Sequence, residues 1–188
     1  MRKEICISGF GGQGIGLMGY ILGKALALYN GDEAVMTQSY GPEARGGASS
    51  TNIVVSDEPV DYPFVQHPDV LVAISQEAYS KFRSKTKPEA LILIDQDLVE
   101  PLDADHPLSI PATHIAEDLG RRIVANIVML GFFTAVTGIV NRGPVEKAIE
   151  TSVKPKTVQL NLTAFAKGYD YGCQNHPERK GVSDEEAC

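Results

Sequence analysis

Short apolar runs separated by segments of helix length are the feature that most constrains the fold of this chain. The runs lie at residues 5–8, 34–37, 53–55, 70–74 and 91–94. Several are apolar at every position rather than at every second one, which is typical of strands that are buried on both faces of a sheet. Between the runs, helices are predicted at 15–29 and 76–85. This alternation predicts an α/β fold with a mostly parallel sheet.

From residue 121 onward the sequence predicts helices alone, at 121–138, 144–152 and 155–168. The uncharged stretch 123–140 reaches the ~18 residues that a membrane span requires, but it contains polar residues and glycines. We expect it to be a buried helix. We expect a single domain over residues 1–168 with a helical C-terminal segment, followed by a polar tail or partner-binding strap over 169–188.

Charge and cysteine content exclude several functions. The 188 residues include 17 Lys+Arg and 24 Asp+Glu, a net charge of -7, which argues against nucleic acid as a partner. The three cysteines match no iron–sulfur spacing, and no histidines have the spacing of metal ligands. The N-terminus lacks the apolar core of a signal peptide. We therefore expect a cytoplasmic protein without a metal site of its own.

A glycine-rich segment, Gly9-Phe10-Gly11-Gly12-Gln13-Gly14, lies between the first predicted strand and the first predicted helix. It satisfies the pattern G-x-G-x-x-G, in which backbone N–H groups meet an anion at a helix N-terminus. A dinucleotide site also needs an acidic residue after the second strand, where this chain has Gln38 and Ser39, and this disfavours NAD or FAD. The glycines either form a tight turn alone or allow a ligand or another subunit to approach closely. Their number favours close approach.

A second segment, residues 38–50, follows the second predicted strand and should lie at the same edge of a parallel sheet as the glycines. Long loops without apolar anchors are usually functional. Arg45 beside Gly46 and Gly47 offers a planar cation and accessible amides to a phosphate or carboxylate. The alternative is a solvated loop in which Arg45 pairs with Glu43.

Taken together, GFGGQG at 9–14 and QSYGPEARGG at 38–47 resemble the γ subunit of the 2-oxoacid:ferredoxin oxidoreductases, the pyruvate/ketoisovalerate oxidoreductase γ family. The 2-oxoglutarate branch is the most similar. Residues 57–63, and Asn126 with 129–131, also fit, and the resemblance extends over about residues 3–168. It implies a three-layer Rossmann-like domain.

This resemblance implies a subunit of a complex that converts a 2-oxoacid, CoA and oxidised ferredoxin into an acyl-CoA, CO2 and reduced ferredoxin. Thiamine diphosphate, Mg and iron–sulfur clusters would be held by other chains. The implied partners are α, β and ferredoxin-like δ subunits, with ferredoxin as the acceptor. The family's γ domain is thought to help bind CoA, and no catalytic or metal-binding residue is expected here. The CoA-binding residues that the resemblance implies are Gly9, Gly11, Gly12, Gln13, Gly14, Ser39, Tyr40, Arg45, Gly46, Gly47 and Asn126.

Two questions stay open at the level of sequence. The amide of Asn126, on the long apolar helix, should bond either a ligand or a neighbouring loop backbone. The function has two alternatives: the small subunit of an indolepyruvate oxidoreductase, or a free-standing nucleotide-binding or scaffold protein.

Overall fold

A single six-stranded sheet organises the computed structural model, which describes residues 2–39 and 47–179. Its order across the sheet is β2-β3-β1-β4-β5-β6. The strands are β1 (Arg2–Phe10), β2 (Glu33–Ser39), β3 (Ala48–Ser56), β4 (Val70–Ala73), β5 (Leu91–Asp95) and β6 (Leu108–Ile110). The five runs predicted as strands are β1 to β5. β6 was not predicted, because three residues are too short to show a pattern.

The sheet is mostly parallel, as predicted, and β3 is the one reversed strand. β1, β4, β5 and β6 pair in parallel in that order. β3 pairs antiparallel with both β1 and β2, so β2 runs in the same direction as β1. Only residues 40–47 join β2 to β3, and a connection of that length allows a hairpin but not a parallel crossover. The carboxyl ends of β1 and β2 therefore lie at the same edge.

Helices cover both faces of the sheet, which makes the predicted three layers. They are α1 (Ile15–Lys24), α2 (Gln76–Phe82), α3 (Ala112–Asp118), α4 (Ala125–Thr137), α5 (Arg142–Glu150) and α6 (Val158–Asn175). Alternate residues of β1 face opposite layers: Ile5 and Ile7 join the large core that includes α1 and α3 to α6. Cys6 joins a small core against α2. None of the helices in the described ranges is long and apolar enough to cross a membrane.

Glycines allow α4 and α6 to cross at backbone distance. A Cβ built on Gly131 would overlap the carbonyl oxygen of Phe165, and one built on Gly168 would overlap that of Val128. α4 ends at Thr137, and Gly138, the predicted end, is its C-cap in the left-handed conformation with φ +61°.

The boundary predicted at residue 168 lies inside α6, which continues to Asn175. Tyr169 is buried and stacks at a tilt on Phe165 with 6.2 Å between ring centroids, and Gly172 is also buried. Residues 169–175 are therefore the last two turns of a core helix rather than the beginning of a tail. The prediction placed the end of the helix too early because the polar residues of 169–175 lie on the exposed face of α6. The strap interpretation of the remaining residues stays a prediction.

Candidate functional site

The two segments singled out in the sequence lie side by side at the carboxyl edge of the sheet. In the β1–β3 ladder Gly9 is opposite Ser49, and the Ser49 hydroxyl donates a hydrogen bond of 3.3 Å to the Gly9 carbonyl. Gly47 directly precedes β3, and exposed Ser39 ends β2. Tyr40, Arg45 and Gly46 lie outside the described residues.

The Gln13 side chain fixes the glycine-rich loop to the neighbouring strand. Its Oε1 accepts a hydrogen bond of 2.6 Å from the Phe10 backbone N–H, and its Nε2 donates one of 2.9 Å to the Ile74 carbonyl. Both ends of the amide therefore bond the backbone. This geometry gives Gln13 a positioning role, in which it sets the shape of the surface that the loop presents.

Gly14 begins α1 in the left-handed conformation, with φ +75° and ψ +25°. A Cβ at this position would overlap the side-chain amide of Asn126, so both the backbone angle and the neighbouring side chain require glycine. Gly11 differs, because a Cβ there would have no atom within 4 Å. Packing within the described residues thus explains Gly14 but leaves Gly11 available for the approach of a ligand or partner.

Asn126 is buried at the N-terminal end of α4, where its Nδ2 donates a hydrogen bond of 3.1 Å to the Gly14 carbonyl. Of the two alternatives for this amide, the structure shows the bond to a loop backbone. The second N–H of Nδ2 has no bond within residues 2–39 and 47–179. Asn126 also lines a cavity, so a contact with a ligand remains a proposal.

Two cavities flank the loop, one on each side of the exposed Ile123 side chain. The first has a volume of about 230 Å³ and the second about 460 Å³. The first is lined by Gly12, Gln13, Ile74, Asp95, Leu98, Thr113, Arg122, Ile123 and Ala125. The second is lined by Gly14, Leu17, Arg121, Ile123, Val124, Asn126, Ser152, Val153, Lys154, Thr157, Leu160 and Asn161.

Asp95 was missed by the sequence reasoning, although it ends the apolar strand β5 at the carboxyl edge, which is a usable signal. Its carboxylate is buried in the wall of the first cavity. Oδ2 accepts hydrogen bonds from the Thr113 N–H (3.1 Å) and hydroxyl (2.6 Å), and Oδ1 accepts one from the Asp97 N–H (3.1 Å). Burial raises the pKa of Asp95 in spite of these donors. Because Pro111 precedes α3 without a side-chain cap, Asp95 supplies the cap from outside the helix.

Arg121 and Lys154, also missed, place two cations at the second cavity, whose lining contains no Asp or Glu. Within the described part of the chain, neither side chain has an ion pair. Arg122, at the first cavity, differs, because it lies 3.6 Å from the carboxylate of Glu117. The second cavity is therefore the more favourable of the two for an anion.

The described residues contain no group of three or more His, Cys, Asp or Glu side chains that could hold a metal ion. Cys6 is buried in the sheet, and burial raises the pKa of its thiol to about 12. A thiol held in this protonated state is a poor metal ligand.

Comparison with known proteins identifies the family. The family model described as pyruvate ferredoxin/flavodoxin oxidoreductase matches residues 4–171. A 2-oxoglutarate synthase subunit KorC from Methanocaldococcus jannaschii is 54% identical over 175 residues, which cover 90% of this chain and 94% of that protein.

Two solved structures share the fold. The keto/oxoacid ferredoxin oxidoreductase γ subunit from Geobacter sulfurreducens PCA is 40% identical with a TM-score of 0.84, over 93% of this chain and 98% of that one. The 2-oxoglutarate:ferredoxin oxidoreductase from Magnetococcus marinus, with 2-oxoglutarate, coenzyme A and succinyl-CoA bound, is 22% identical with a TM-score of 0.81. That match covers 92% of this chain and 31% of the other, and at this identity it shows the fold alone.

Proposed function

Because this chain belongs to the pyruvate ferredoxin/flavodoxin oxidoreductase family, we propose that it is the γ subunit of a 2-oxoglutarate:ferredoxin oxidoreductase. The complex would convert 2-oxoglutarate, CoA and oxidised ferredoxin into succinyl-CoA, CO2 and reduced ferredoxin. The choice of 2-oxoglutarate is supported by the 54% identity to a 2-oxoglutarate synthase subunit, against 28% to an indolepyruvate oxidoreductase subunit from Archaeoglobus fulgidus.

The contribution of this subunit would be to bind CoA and to complete the assembly. The observation that carries this proposal is that two glycine-rich segments meet at one sheet edge, where Gly9 is opposite Ser49, with a cavity on each side of the loop. Backbone N–H groups at the start of α1 favour an anion, and CoA has a pyrophosphate and a 3′-phosphate. A related complex has been solved with CoA bound, which supports CoA as the ligand class.

Each implicated residue would have a defined task at this edge. Gln13 would hold the loop in shape through its two backbone bonds, and Gly11 would leave room for the ligand. Ser39 and Gly47 flank the connection that contains Tyr40, Arg45 and Gly46, whose cation and amides would meet a phosphate.

The electron-transfer chemistry would take place on other chains. Thiamine diphosphate with Mg would act on the 2-oxoacid, and iron–sulfur clusters would pass the electrons to ferredoxin. The described residues contain no group of three or more His, Cys, Asp or Glu side chains that could hold the metal of either group. We therefore propose α, β and ferredoxin-like δ subunits as its partners.

The proposal is tested by reconstitution of the complex from purified chains, with and without this one, and by assay of a panel of 2-oxoacids with CoA and ferredoxin. We expect the full complex to prefer 2-oxoglutarate and this chain alone to be inactive. Ferredoxin reduction by the lone chain, or an unchanged KM for CoA in a complex that lacks it, would refute the proposal.

A substitution at Arg45 tests the second segment. Arg45→Ala in the full complex should raise the KM for CoA and leave the KM for 2-oxoglutarate unchanged, because its proposed contact is with a phosphate. The matched control is Lys167→Ala, which removes an exposed cation from α6. An equal KM for CoA in both variants removes Arg45 from the CoA site.

A further inference from the structure

The larger cavity beside the glycine-rich loop combines features of an anion site. Its lining includes Arg121 and Lys154 and no acidic residue, although the chain as a whole has 24 Asp+Glu against 17 Lys+Arg. In an acidic protein, two cations at one cavity without an acid are a local concentration of positive charge. The first cavity has Asp95 in its lining and does not share this character.

Both cations are available to a ligand. Within the ranges 2–39 and 47–179, neither side chain has an ion pair or a side-chain hydrogen bond. Some other cations of this chain are paired: Lys87 bonds Asp69 at 2.8 Å, and Arg142 bonds Glu146 at 2.8 Å. No carboxylate within these ranges therefore neutralises the charge of Arg121 or Lys154.

The backbone that carries each cation is held in place. Arg121 follows Gly120, which turns the chain at the end of α3 with φ +79°, and its N–H donates to the Ala116 carbonyl at 3.1 Å. The Lys154 carbonyl accepts from the N–H (2.8 Å) and the hydroxyl (2.9 Å) of Thr157. The backbone of each cation is therefore fixed by hydrogen bonds, in the connection before α4 for Arg121 and in the connection before α6 for Lys154.

The remaining lining fits a phosphate group with an attached organic body. Leu17, Val124, Val153 and Leu160 provide apolar lining for the organic body of a ligand. The second N–H of the Asn126 amide has no bond in the described part, so it is available as a donor. The volume of about 460 Å³ lies within the range of roughly 300–1,000 Å³ of small-molecule sites, more than a bare ion needs.

We infer that Arg121 and Lys154 bind a phosphate of CoA in this cavity, an inference that rests on the proposed function. These two residues, on the α4 and α6 side of the loop, would bind CoA in addition to the residues that the family resemblance implies. The phosphate is either the 3′-phosphate or the pyrophosphate, and these share the same recognition chemistry.

The test uses the full complex and the double variant Arg121→Ala/Lys154→Ala. We expect the KM for CoA to rise roughly 10-fold or more, the size of a lost charge-assisted hydrogen bond. The kcat at saturating CoA and the KM for 2-oxoglutarate should stay unchanged. Lys156→Ala is the matched control, because this exposed lysine is close in sequence but does not line the cavity.

Dephospho-CoA distinguishes the two sources of phosphate. If the cations bind the 3′-phosphate, the KM for dephospho-CoA is already high in the unsubstituted complex, and the double variant raises it no further. If they bind the pyrophosphate, the double variant raises both KM values by the same factor. Both results support the inference.

Unchanged KM values for both CoA and dephospho-CoA would overturn it. If omission of the chain still raised the KM for CoA, the proposed function would survive that result, so the two failures are distinguishable. Should the double variant not assemble, Arg121→Gln and Lys154→Gln, which keep much of the side-chain stem, give the same readout.

Discussion

At the scale of single residues, the glycines of the glycine-rich loop differ in what requires them: packing requires one, and another faces open space. The motif could be read from the sequence, and so could a tight turn before a helix. Which glycine serves which purpose could not, because Gly14 owes its identity to Asn126, which lies on α4 and is distant in sequence. Gly11, by contrast, has only open space where a side chain would be.

A double-mutant cycle tests the Gly14–Asn126 contact. Gly14→Ala should lower the free energy of unfolding by roughly 2–4 kcal/mol, since it combines a left-handed backbone with a steric overlap. In an Asn126→Ala background the overlap is gone, and the same substitution should cost about 1–2 kcal/mol, the backbone component alone. Urea unfolding of the unsubstituted protein, the two single variants and the double variant gives both values. If Gly14→Ala lowers the free energy of unfolding equally in the two backgrounds, the contact is contradicted.

At the scale of elements, the helices and strands that the sequence predicted are those with strong patterns. The five apolar runs became strands, and Gly138 ended α4 as expected. The reversal of β3 was not predicted, because an apolar run does not record its direction. The end of α6 was misplaced, because the residues after Gly168 are polar on one face and buried on the other.

The crossing of α4 and α6 gives a prediction for Gly168. Gly168→Ala should lower the free energy of unfolding by about 1–3 kcal/mol, because the added Cβ would overlap the Val128 carbonyl and push the helices apart. Alanine's better helix propensity, ~1 kcal/mol, works in the opposite direction.

Gly143→Ala is the matched control for this prediction. Gly143 lies in α5, and a Cβ there would have no atom within 4 Å, so this variant should be neutral or slightly stabilised. Chemical denaturation of both variants provides the comparison. A Gly168→Ala protein as stable as Gly143→Ala would mean that the crossing tolerates a side chain.

At the scale of the whole molecule, the two sides of the sheet are unequally covered. α1 and α3 to α6 build the large core on one side, whereas the other side has α2 and the segment after β5. On this thinner side, the Asp105 carboxylate accepts hydrogen bonds from Arg83 and from the Tyr79 hydroxyl, which joins that segment to α2. The layers were predictable from sequence, but this junction of residues from separate segments was not.

This junction makes part of the stability depend on pH. The hydrogen bonds from Arg83, with a further one from Tyr79, hold the pKa of Asp105 below its usual range although burial opposes them. A carboxyl with a lowered pKa stabilises the fold above its unfolded pKa of about 3.9, and the stabilisation is lost as the pH falls through the folded value.

Asp105→Asn should therefore lower the Tm near neutral pH, and the difference from the unsubstituted protein should narrow as the pH drops below about 4. Thermal unfolding monitored by circular dichroism across this pH range measures the difference. Asp103→Asn, at an exposed position in the same segment, is the control. A Tm difference that stays the same at every pH would mean that Asp105→Asn acts through packing rather than through charge.

Much of the candidate site also forms only when the whole molecule is folded. Its glycine loops were visible in the sequence, because each lies within one short segment. Asp95, Arg121 and Lys154 come to the same edge only when β5 and the connections before α4 and α6 are folded together. Single positions without a local pattern are not recognisable before the chain is folded.

The backbone contact between α4 and α6 has a consequence for how this protein can change over time. Where side chains pack on side chains, an enlarged residue can be accommodated by a smaller neighbour elsewhere. At Gly131 and Gly168 the neighbouring atoms are the carbonyls of Phe165 and Val128, and no substitution can shrink a carbonyl. A selection for second-site suppressors should therefore rescue damaged core residues through changes in their neighbours, whereas at these two glycines it should return true revertants or stabilising changes away from the crossing.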